Sequence, residues 1–183
     1  VWTSRAAHSD LMLLLARTTP ADQVEKRTHG ISTFLIDLKE AQKHGCEIRP
    51  IDAMVNHNTT EVFFDNVIVP AENLIGSENA GFLLIMSNFQ MERLNLAVMA
   101  NMTAQLALEE SLRWAREREA FGKPIGKMQV IRHKLADMAT RVEASREFTY
   151  RVGARIADGI PSVKEVSMAK NFATQTSDFV TTE

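Results

Sequence analysis

Short apolar runs separated by polar turns fill the first third of the chain. Runs of this length that are rich in β-branched and aromatic residues are typical of strands. The polar stretches 21–30 and 39–45 predict loops between them. Five runs predict strands, at residues 11–16, 31–36, 47–51, 60–64 and 67–69. Several short strands joined by turns predict a partial β-sandwich or barrel.

The pattern changes after Gly76. Ser77 can cap a helix that starts at Glu78 or Asn79. Residues 82–115 contain no proline and no glycine, so they predict one helix of about 35 residues. Its apolar residues occupy almost every face, which predicts that other elements surround it. We therefore expect a β-domain at residues 1–75 and a helical domain at residues 76–183.

Two further helices complete the predicted second domain. Residues 127–158 carry an apolar stripe at helical spacing, and Gly159 suits the C-terminal cap. A third helix starts near Pro161, where Ser162 and Glu165 have the spacing of a capping box. Three long helices with short connections predict an antiparallel bundle, so the fold class is α+β.

Composition and charge exclude several classes of protein. The chain has 183 residues and a net charge of −2, which gives no general attraction to nucleic acid or to an anionic membrane, although local basic clusters remain able to hold phosphates. No apolar run reaches the roughly 18 residues of a transmembrane helix. The single cysteine, Cys46, excludes an internal disulfide and favours a reducing compartment. The chain has no initiator Met and no helix terminator at its end, so we expect a fragment of a longer protein.

Glu92 and Arg93 form the most informative polar pair. They lie in the middle of the apolar helix, where loss of water would let Glu92 act as a general base. The alternative is that Glu92 is partly exposed or is neutralised by Arg93 or another cation, which is common in proteins.

Three other places contain residues suited to binding a ligand, and each also has an ordinary structural interpretation. Arg118 can bind a phosphate and Phe121 can lie against a planar ring, or both can belong to a solvated helix end. Trp2 beside Ser4 suits a flat heterocycle, but Trp2 is equally suited to a core. His57 has no companion at metal-ligand spacing, so we assign no metal.

Taken together, these segments resemble the acyl-CoA dehydrogenase family. The resemblance covers essentially the whole chain, and the segment from Arg118 to Met138 is the most specific part of it. The matching segments are residues 1–4, 30–35, 61–70, 73–76, 118–125, Gln129 and 135–138.

The resemblance implies an FAD enzyme that converts a saturated acyl-CoA into a trans-2-enoyl-CoA. A glutamate removes the α-proton, and the β-hydrogen leaves as hydride to flavin N5. Trp2 would flank the flavin and Ser4 would hydrogen-bond near its reactive nitrogen. Arg118 and Phe121 would reach the FAD of a neighbouring subunit, with Gln129 close to that cofactor. The stretch Gln90, Met91, Glu92 and Arg93 would line the acyl-CoA cleft.

Glu92 falls on the position where a minority of the family, including isovaleryl-CoA and long-chain types, carries the catalytic base. Most members carry the base farther downstream, beyond this chain. Residues 52–57 depart from the Gly and Arg that many relatives have there, which weakens a subfamily assignment. The resemblance further implies a homotetramer that passes electrons to an electron-transfer flavoprotein in a bacterial cytoplasm or, as the second choice, a mitochondrial matrix. The alternatives are an acyl-CoA oxidase or flavin monooxygenase on the same scaffold, and a non-catalytic helical interaction module.

Overall fold

The computed structural model describes residues 1–55 and 58–183, which form two compact units, Val1–Met86 and Ser87–Glu183. The division falls inside a long helix whose first turn lies against the strands of the first unit. The strands are β1 Thr3–Ser4, β2 Leu11–Arg17, β3 Ile31–Asp37, β4 Cys46–Pro50, β5 Thr59–Phe64, β6 Leu74–Ile75, β7 Glu119–Ala120 and β8 Lys123–Pro124. The α-helices are α1 Leu38–Lys43, α2 Gly81–Glu117, α3 Gln129–Ala157 and α4 Val163–Thr182.

The first unit contains two small antiparallel sheets, with the strand orders β1-β5-β4 and β2-β3-β6. β2 and β3 pair along their whole length, from Leu11 opposite Asp37 to Arg17 opposite Ile31. Its buried core consists of Ala6, Ile36, Leu38, Ala41 and Cys46. Four of the five predicted strands are confirmed, and the sheets are not closed into a barrel.

Two predictions in this unit are wrong. Residues 39–45 are not a loop throughout, because α1 occupies Leu38–Lys43 and buries Leu38 and Ala41. Asp37 caps this helix by accepting a hydrogen bond from the Glu40 backbone N–H at 3.0 Å. The predicted strand at residues 67–69 is not formed. Val67 and Val69 pack against the core of the first unit instead of pairing with a strand.

The long helix α2 begins at Gly81, later than the predicted start at Glu78 or Asn79. Asn79 has a positive φ of 66°, and its backbone N–H donates to Ser32 Oγ at 2.8 Å. Its side-chain Oδ1 accepts hydrogen bonds from Thr18 and Thr19. These bonds hold Asn79 to the strands and delay the helix by one half turn.

The second unit is built on an inner face of α2, which we define as Leu94, Ala97, Asn101, Ala104 and Leu108. These residues recur every three or four positions and are all buried. Side chains of α3 and α4 cover this face, and burial of apolar area stabilises the bundle. Two clusters result, one containing Val152, Val166, Ala169 and Ala173, and the other containing Met138, Val142 and Val180.

The opposite side of α2 carries an outer face, which we define as Leu96, Met99, Met102 and Leu106. Their exposed fractions within the described chain are 47% to 64%. The expectation that other elements surround α2 is therefore not met by this chain alone. Apolar side chains thus lie on both sides of the helix, but α3 and α4 cover only the inner one.

The predicted connection between α3 and α4 is confirmed in its main features. The Gly159 and Ile160 N–H groups donate to the carbonyls of Ile156 and Arg155, which is the Schellman arrangement of a helix end. The capping box is wrong, because Ser162 Oγ donates to the Ile160 carbonyl and forms no cap bond with α4. Ser162 instead accepts a bond from Arg155 Nε at 3.3 Å.

No helix among the described residues combines the length and the apolar character that crossing a membrane requires. Cys46 is buried in the core of the first unit. This burial raises the pKa of its thiol above the ordinary value, because the thiolate loses solvation. A buried thiol that is hard to ionise is a poor nucleophile, so this environment gives Cys46 no reactive role.

Candidate functional site

Glu92 lies on the outer face side of α2, one turn from Leu96 and two turns from Met99. Its carboxylate is exposed in this chain and accepts a hydrogen bond from Asn88 Nδ2 at 2.7 Å. No cation of the described residues lies within 4.0 Å of the Glu92 carboxylate, which is the limit for an ion pair. Arg93 therefore does not neutralise Glu92 in this chain. The chain thus presents an unpaired carboxylate among apolar side chains but does not itself enclose it.

The predicted cleft residues fall on different sides of α2. A helix turns about 100° per residue, so Gln90 and Glu92 point in directions about 200° apart. Gln90 and Met91 line a cavity of about 320 Å³ formed with the connection between α3 and α4. Other lining residues include Ile156, Ile160, Pro161, Val163 and Val166. The geometry separates Gln90 from Glu92 and leaves Met91 and Arg93 on the flanks.

A tight hairpin follows the C-terminus of α2. β7 and β8 pair with Ala120 opposite Lys123, so Phe121 and Gly122 form a two-residue turn. Their φ values are 51° and 75°, which is the type I′ pattern that favours Asn-Gly. Phe121 is 94% exposed. Within the described chain, Phe121 therefore carries an exposed ring on a backbone conformation that bulky residues rarely adopt.

Arg118 and Gln129 lie at the two ends of the segment that carries this hairpin. The Arg118 N–H donates to the Trp114 carbonyl, and the Arg118 carbonyl accepts from Ile125 at 2.8 Å. No described carboxylate lies within 4.0 Å of the Arg118 guanidinium. Gln129 is the first residue of α3 and is exposed. An unpaired guanidinium, an exposed ring and an amide can together bind an anionic ligand that carries a planar ring.

Trp2 and Ser4 lie on and beside β1 in the first unit. Thr60 Oγ1 donates to the Thr3 carbonyl at 2.7 Å, and this bond fixes β1 to β5. Trp2 has a φ of 63° and is 70% exposed within the described chain. Ser4 is exposed as well, which leaves its hydroxyl free to bind a ligand.

Two of these places are far apart along one helix. From Glu92 to Glu117 a rise of 1.5 Å per residue gives a separation of about 38 Å. A single planar ring cannot contact both Glu92 and the Phe121 hairpin of the same chain. This separation is compatible with the sequence-based expectation that Glu92 and Phe121 belong to the sites of different subunits.

Sequence reasoning missed a cationic cavity at the start of α3, lined by Lys127, Arg132 and His133. Its signal was present as the spacing of Gln129, Arg132, His133 and Ala136, which places four residues on one helix face. The described residues contain no cluster of three or more potential metal ligands. Asn56 and His57, which belong to the segment that departs from the family pattern, lie outside the described residues.

Comparison with known proteins identifies the family. Residues 79–183 match the sequence model of the acyl-CoA dehydrogenase C-terminal domain. An acyl-CoA dehydrogenase of Bacillus subtilis is 36% identical over 94% of this chain and 45% of its own length. The CarC subunit of the caffeyl-CoA reductase–Etf complex of Acetobacterium woodii is 34% identical over 83% of this chain and 40% of its own length.

A solved structure agrees with these sequence matches. The crystal structure of a probable acyl-CoA dehydrogenase from Mycobacterium abscessus superimposes with a TM-score of 0.88 and 42% identity, over 97% of this chain and 46% of that one. The chain therefore spans about half the length of the relatives that it matches. The sequence, the α+β fold and these matches agree, and the chain belongs to the acyl-CoA dehydrogenase family.

Proposed function

We propose that the protein oxidises an acyl-CoA thioester between its α and β carbons, with Glu92 as the base. The observation that carries this proposal is a carboxylate without an ion-pair partner among the described residues, one turn before the exposed apolar outer face of α2 and restrained by Asn88. An apolar surface of this kind is suited to burial by a ligand or another part of the protein. Burial would remove water from Glu92 without supplying a cation to neutralise it.

Glu92 would take the α-proton. A carboxylate that loses its water becomes a stronger base, which suits abstraction of a weakly acidic proton beside a thioester carbonyl. The proton moves to a Glu92 oxygen, and the electron pair of the broken Cα–H bond forms the new double bond. The hydrogen bond from the Asn88 amide would fix the rotamer of the Glu92 carboxylate before substrate binds.

The residues that would hold FAD fit a flavin nucleotide. Trp2 and Phe121 present exposed rings from strained backbone positions, and Arg118 offers an unpaired guanidinium. Ser4 and Gln129 add exposed polar groups for orientation. When bound, FAD supplies the acceptor for the β-hydrogen and its electron pair. We propose that Trp2 and Ser4 contact the flavin, while Arg118, Phe121 and Gln129 contact the remainder of the nucleotide.

The separation of about 38 Å between Glu92 and Glu117 along α2 supports a site to which two subunits contribute residues. Arg118, Phe121 and Gln129 would bind the FAD of a neighbouring subunit, while Glu92 serves the site of its own subunit. This arrangement requires an oligomer, and we propose a homotetramer. The relative from Acetobacterium woodii is named as part of an Etf complex, which supports an electron-transfer flavoprotein as the electron acceptor.

Replacement of Glu92 tests the base in the full-length protein. We expect Glu92→Gln to lower kcat/KM by about 10² to 10⁴-fold and to abolish α-proton exchange of a bound acyl-CoA, because the amide cannot accept the proton. Glu109→Gln is a matched control, since Glu109 on the same helix also accepts a 2.7 Å bond from an amide four residues earlier. The control is expected to leave both measurements within about twofold.

Undiminished α-proton exchange in Glu92→Gln would remove the role of Glu92 and point to a glutamate elsewhere in the full-length protein. The relative named as a reductase makes the reverse reaction, reduction of an enoyl-CoA, a worthwhile second assay. Rapid reoxidation of the reduced flavin by oxygen would instead favour an oxidase or monooxygenase.

A further inference from the structure

The bond between Asn88 and Glu92 engages one carboxylate oxygen and leaves the other. Asn88 Nδ2 donates to Glu92 Oε1 at 2.7 Å from one turn earlier on α2. Helical side chains lean toward the N-terminus of their helix, so the residue four positions earlier meets the end of a glutamate side chain. Among the described residues, no hydrogen bond reaches Glu92 Oε2. The two oxygens of Glu92 therefore differ before any ligand is present.

The helix neighbours of Glu92 carry no charge. On an α-helix, the side chains three and four positions away are the ones that meet a given residue. Two of these neighbours are amides and two are apolar, namely Asn88, Phe89, Asn95 and Leu96. The only restraint that α2 places on Glu92 is thus a neutral donor.

Other glutamates of α2 meet a cation at the same spacing. Arg113 pairs with Glu110 three residues earlier and with Glu117 four residues later, the latter at 3.4 Å. The hydrogen bond and the charge of Arg113 lower the pKa of Glu110 below its ordinary value, because they favour the ionised form. Where Glu117 has an arginine four residues earlier, Glu92 has Asn88.

An amide restrains a carboxylate with less effect on its basicity than a cation has. A hydrogen bond to an ionised acceptor is short and directional, so it selects one rotamer of the glutamate. A full positive charge within 4 Å would also stabilise the carboxylate by Coulomb attraction and would make it a weaker base. Asparagine is moreover a poor helix former, so helix propensity does not account for Asn88.

We propose that Asn88 is a positioning residue, whose amide holds Glu92 Oε1 so that Oε2 receives the α-proton of the thioester. This inference rests on the proposed function, in which Glu92 is the base. The proton moves from the α-carbon to Oε2, the electron pair of that bond forms the double bond, and the β-hydrogen leaves with its pair to the flavin. Asn88 neither gains nor loses a proton. It holds the base in the reactive orientation before substrate binds, which lowers the entropic part of the barrier.

Replacement of Asn88 in the full-length protein tests this role. Asn88→Leu keeps a side chain of similar size and removes the donor. We expect kcat and the rate of α-proton exchange of a bound acyl-CoA each to fall about tenfold, with KM within about threefold of the parent. Gln105→Leu is the matched control, because Gln105 Nε2 donates to Glu109 Oε1 at 2.7 Å on the same helix and at the same spacing. The control should leave all three measurements within about twofold.

Two further substitutions separate positioning from helix stability. Asn88→Gln retains an amide and should recover part of the exchange rate. Asn88→Lys places a cation four residues before Glu92, as Arg113 lies before Glu117. It should preserve or raise the thermal stability of the protein, because lysine favours helix and can pair with Glu92, yet lower the exchange rate at least as much as Asn88→Leu. A merely structural role would make the rate follow the stability.

A double-mutant cycle with Glu92→Asp measures the coupling. The shorter acid is displaced from the Asn88 amide, so Asn88→Leu should change the exchange rate by less than about twofold in that background. Exchange within about twofold of the parent in Asn88→Leu, or equal losses in both backgrounds, would overturn the inference. If Glu92→Gln lacks exchange while Asn88→Leu retains it, the proposed base stands and only the role of Asn88 fails. Full exchange in Glu92→Gln would refute both.

Discussion

The inner and outer faces of α2 both contain leucines but have opposite surroundings. Leu94 is 9% exposed and contributes to the bundle core, whereas Leu96, two residues later, is 47% exposed. Asn101 is buried between two hydroxyls, and Asn95 is exposed. The comparison teaches that residue type does not decide the environment on this helix; the position relative to α3 and α4 does.

The difference between the faces also separates stability from proposed function. The inner face holds the second unit together through small and medium side chains in close contact. The outer face consists of apolar side chains that the described chain does not cover, and Glu92 lies one turn before it. Substitutions of the same residue type on the two faces should therefore have very different effects.

The largest effect is expected for the leucine pair. Leu94→Ala should lower the free energy of unfolding by about 2 to 5 kcal/mol, because it leaves a cavity among Ala97, Val152 and Val166. Leu96→Ala removes the same atoms from an exposed side chain and should cost less than about 1 kcal/mol. Urea unfolding of the purified protein compares the two directly. Equal losses from both variants would show that the outer face is as well packed as the inner one.

The asparagine pair should show a smaller difference. Asn101 Nδ2 donates to Thr149 Oγ1 at 2.8 Å, and Ser145 Oγ donates to Asn101 Oδ1 at 2.5 Å. Asn101→Ala would leave these buried hydroxyls short of a partner, at a cost of about 1 to 3 kcal/mol. Asn95→Ala, on an exposed site, should stay within about 0.5 kcal/mol. Thermal and denaturant unfolding would contradict this if the two variants were indistinguishable.

The smallest effect on chain stability is expected for the exposed methionines. Met99→Gln and Met102→Gln should change the free energy of unfolding by less than about 0.5 kcal/mol when the subunits are dissociated. Met138→Gln, a buried control in α3, should lower the free energy of unfolding strongly, because it buries an amide in an apolar site without a hydrogen-bond partner. Unfolding measured over a range of protein concentrations separates the stability of the dissociated chain from any stability gained by association. A large effect of Met102→Gln only at high concentration would show that another subunit covers the outer face.

Much of the fold could be predicted from local pattern. The strands at 11–17 and 31–37 and the length of α2 follow from apolar runs and from the absence of helix breakers. α1 was missed because it has six residues, of which only Leu38 and Ala41 are apolar and buried, which gives too short a pattern. The stretch 67–69 has the composition of a strand, but only Val67 and Val69 are partly buried against the core, Ile68 is 90% exposed, and no strand pairs with it among the described residues.

The candidate site was predictable in part. An acid inside an apolar helix pointed to Glu92, and the spacing of Arg118 and Phe121 matched a family motif. The positive φ of Phe121 could not be predicted from the sequence, because Phe-Gly lacks the Asn-Gly signature of a type I′ turn. The different directions of Gln90 and Glu92 follow from helix geometry but become meaningful only once the position of α3 and α4 is known.

The sequence by itself determined the types of the longer elements, the α+β class and the family, because these depend on local periodicity, turn chemistry and the order of short motifs. The tertiary structure decided which side of α2 is buried, where α2 begins and which cations are left without a carboxylate. These features depend on contacts between residues far apart in the chain, such as Asn79 with Ser32 and Lys134 with Glu183. An all-round apolar helix has no intrinsic inner side, so only its neighbours can assign one.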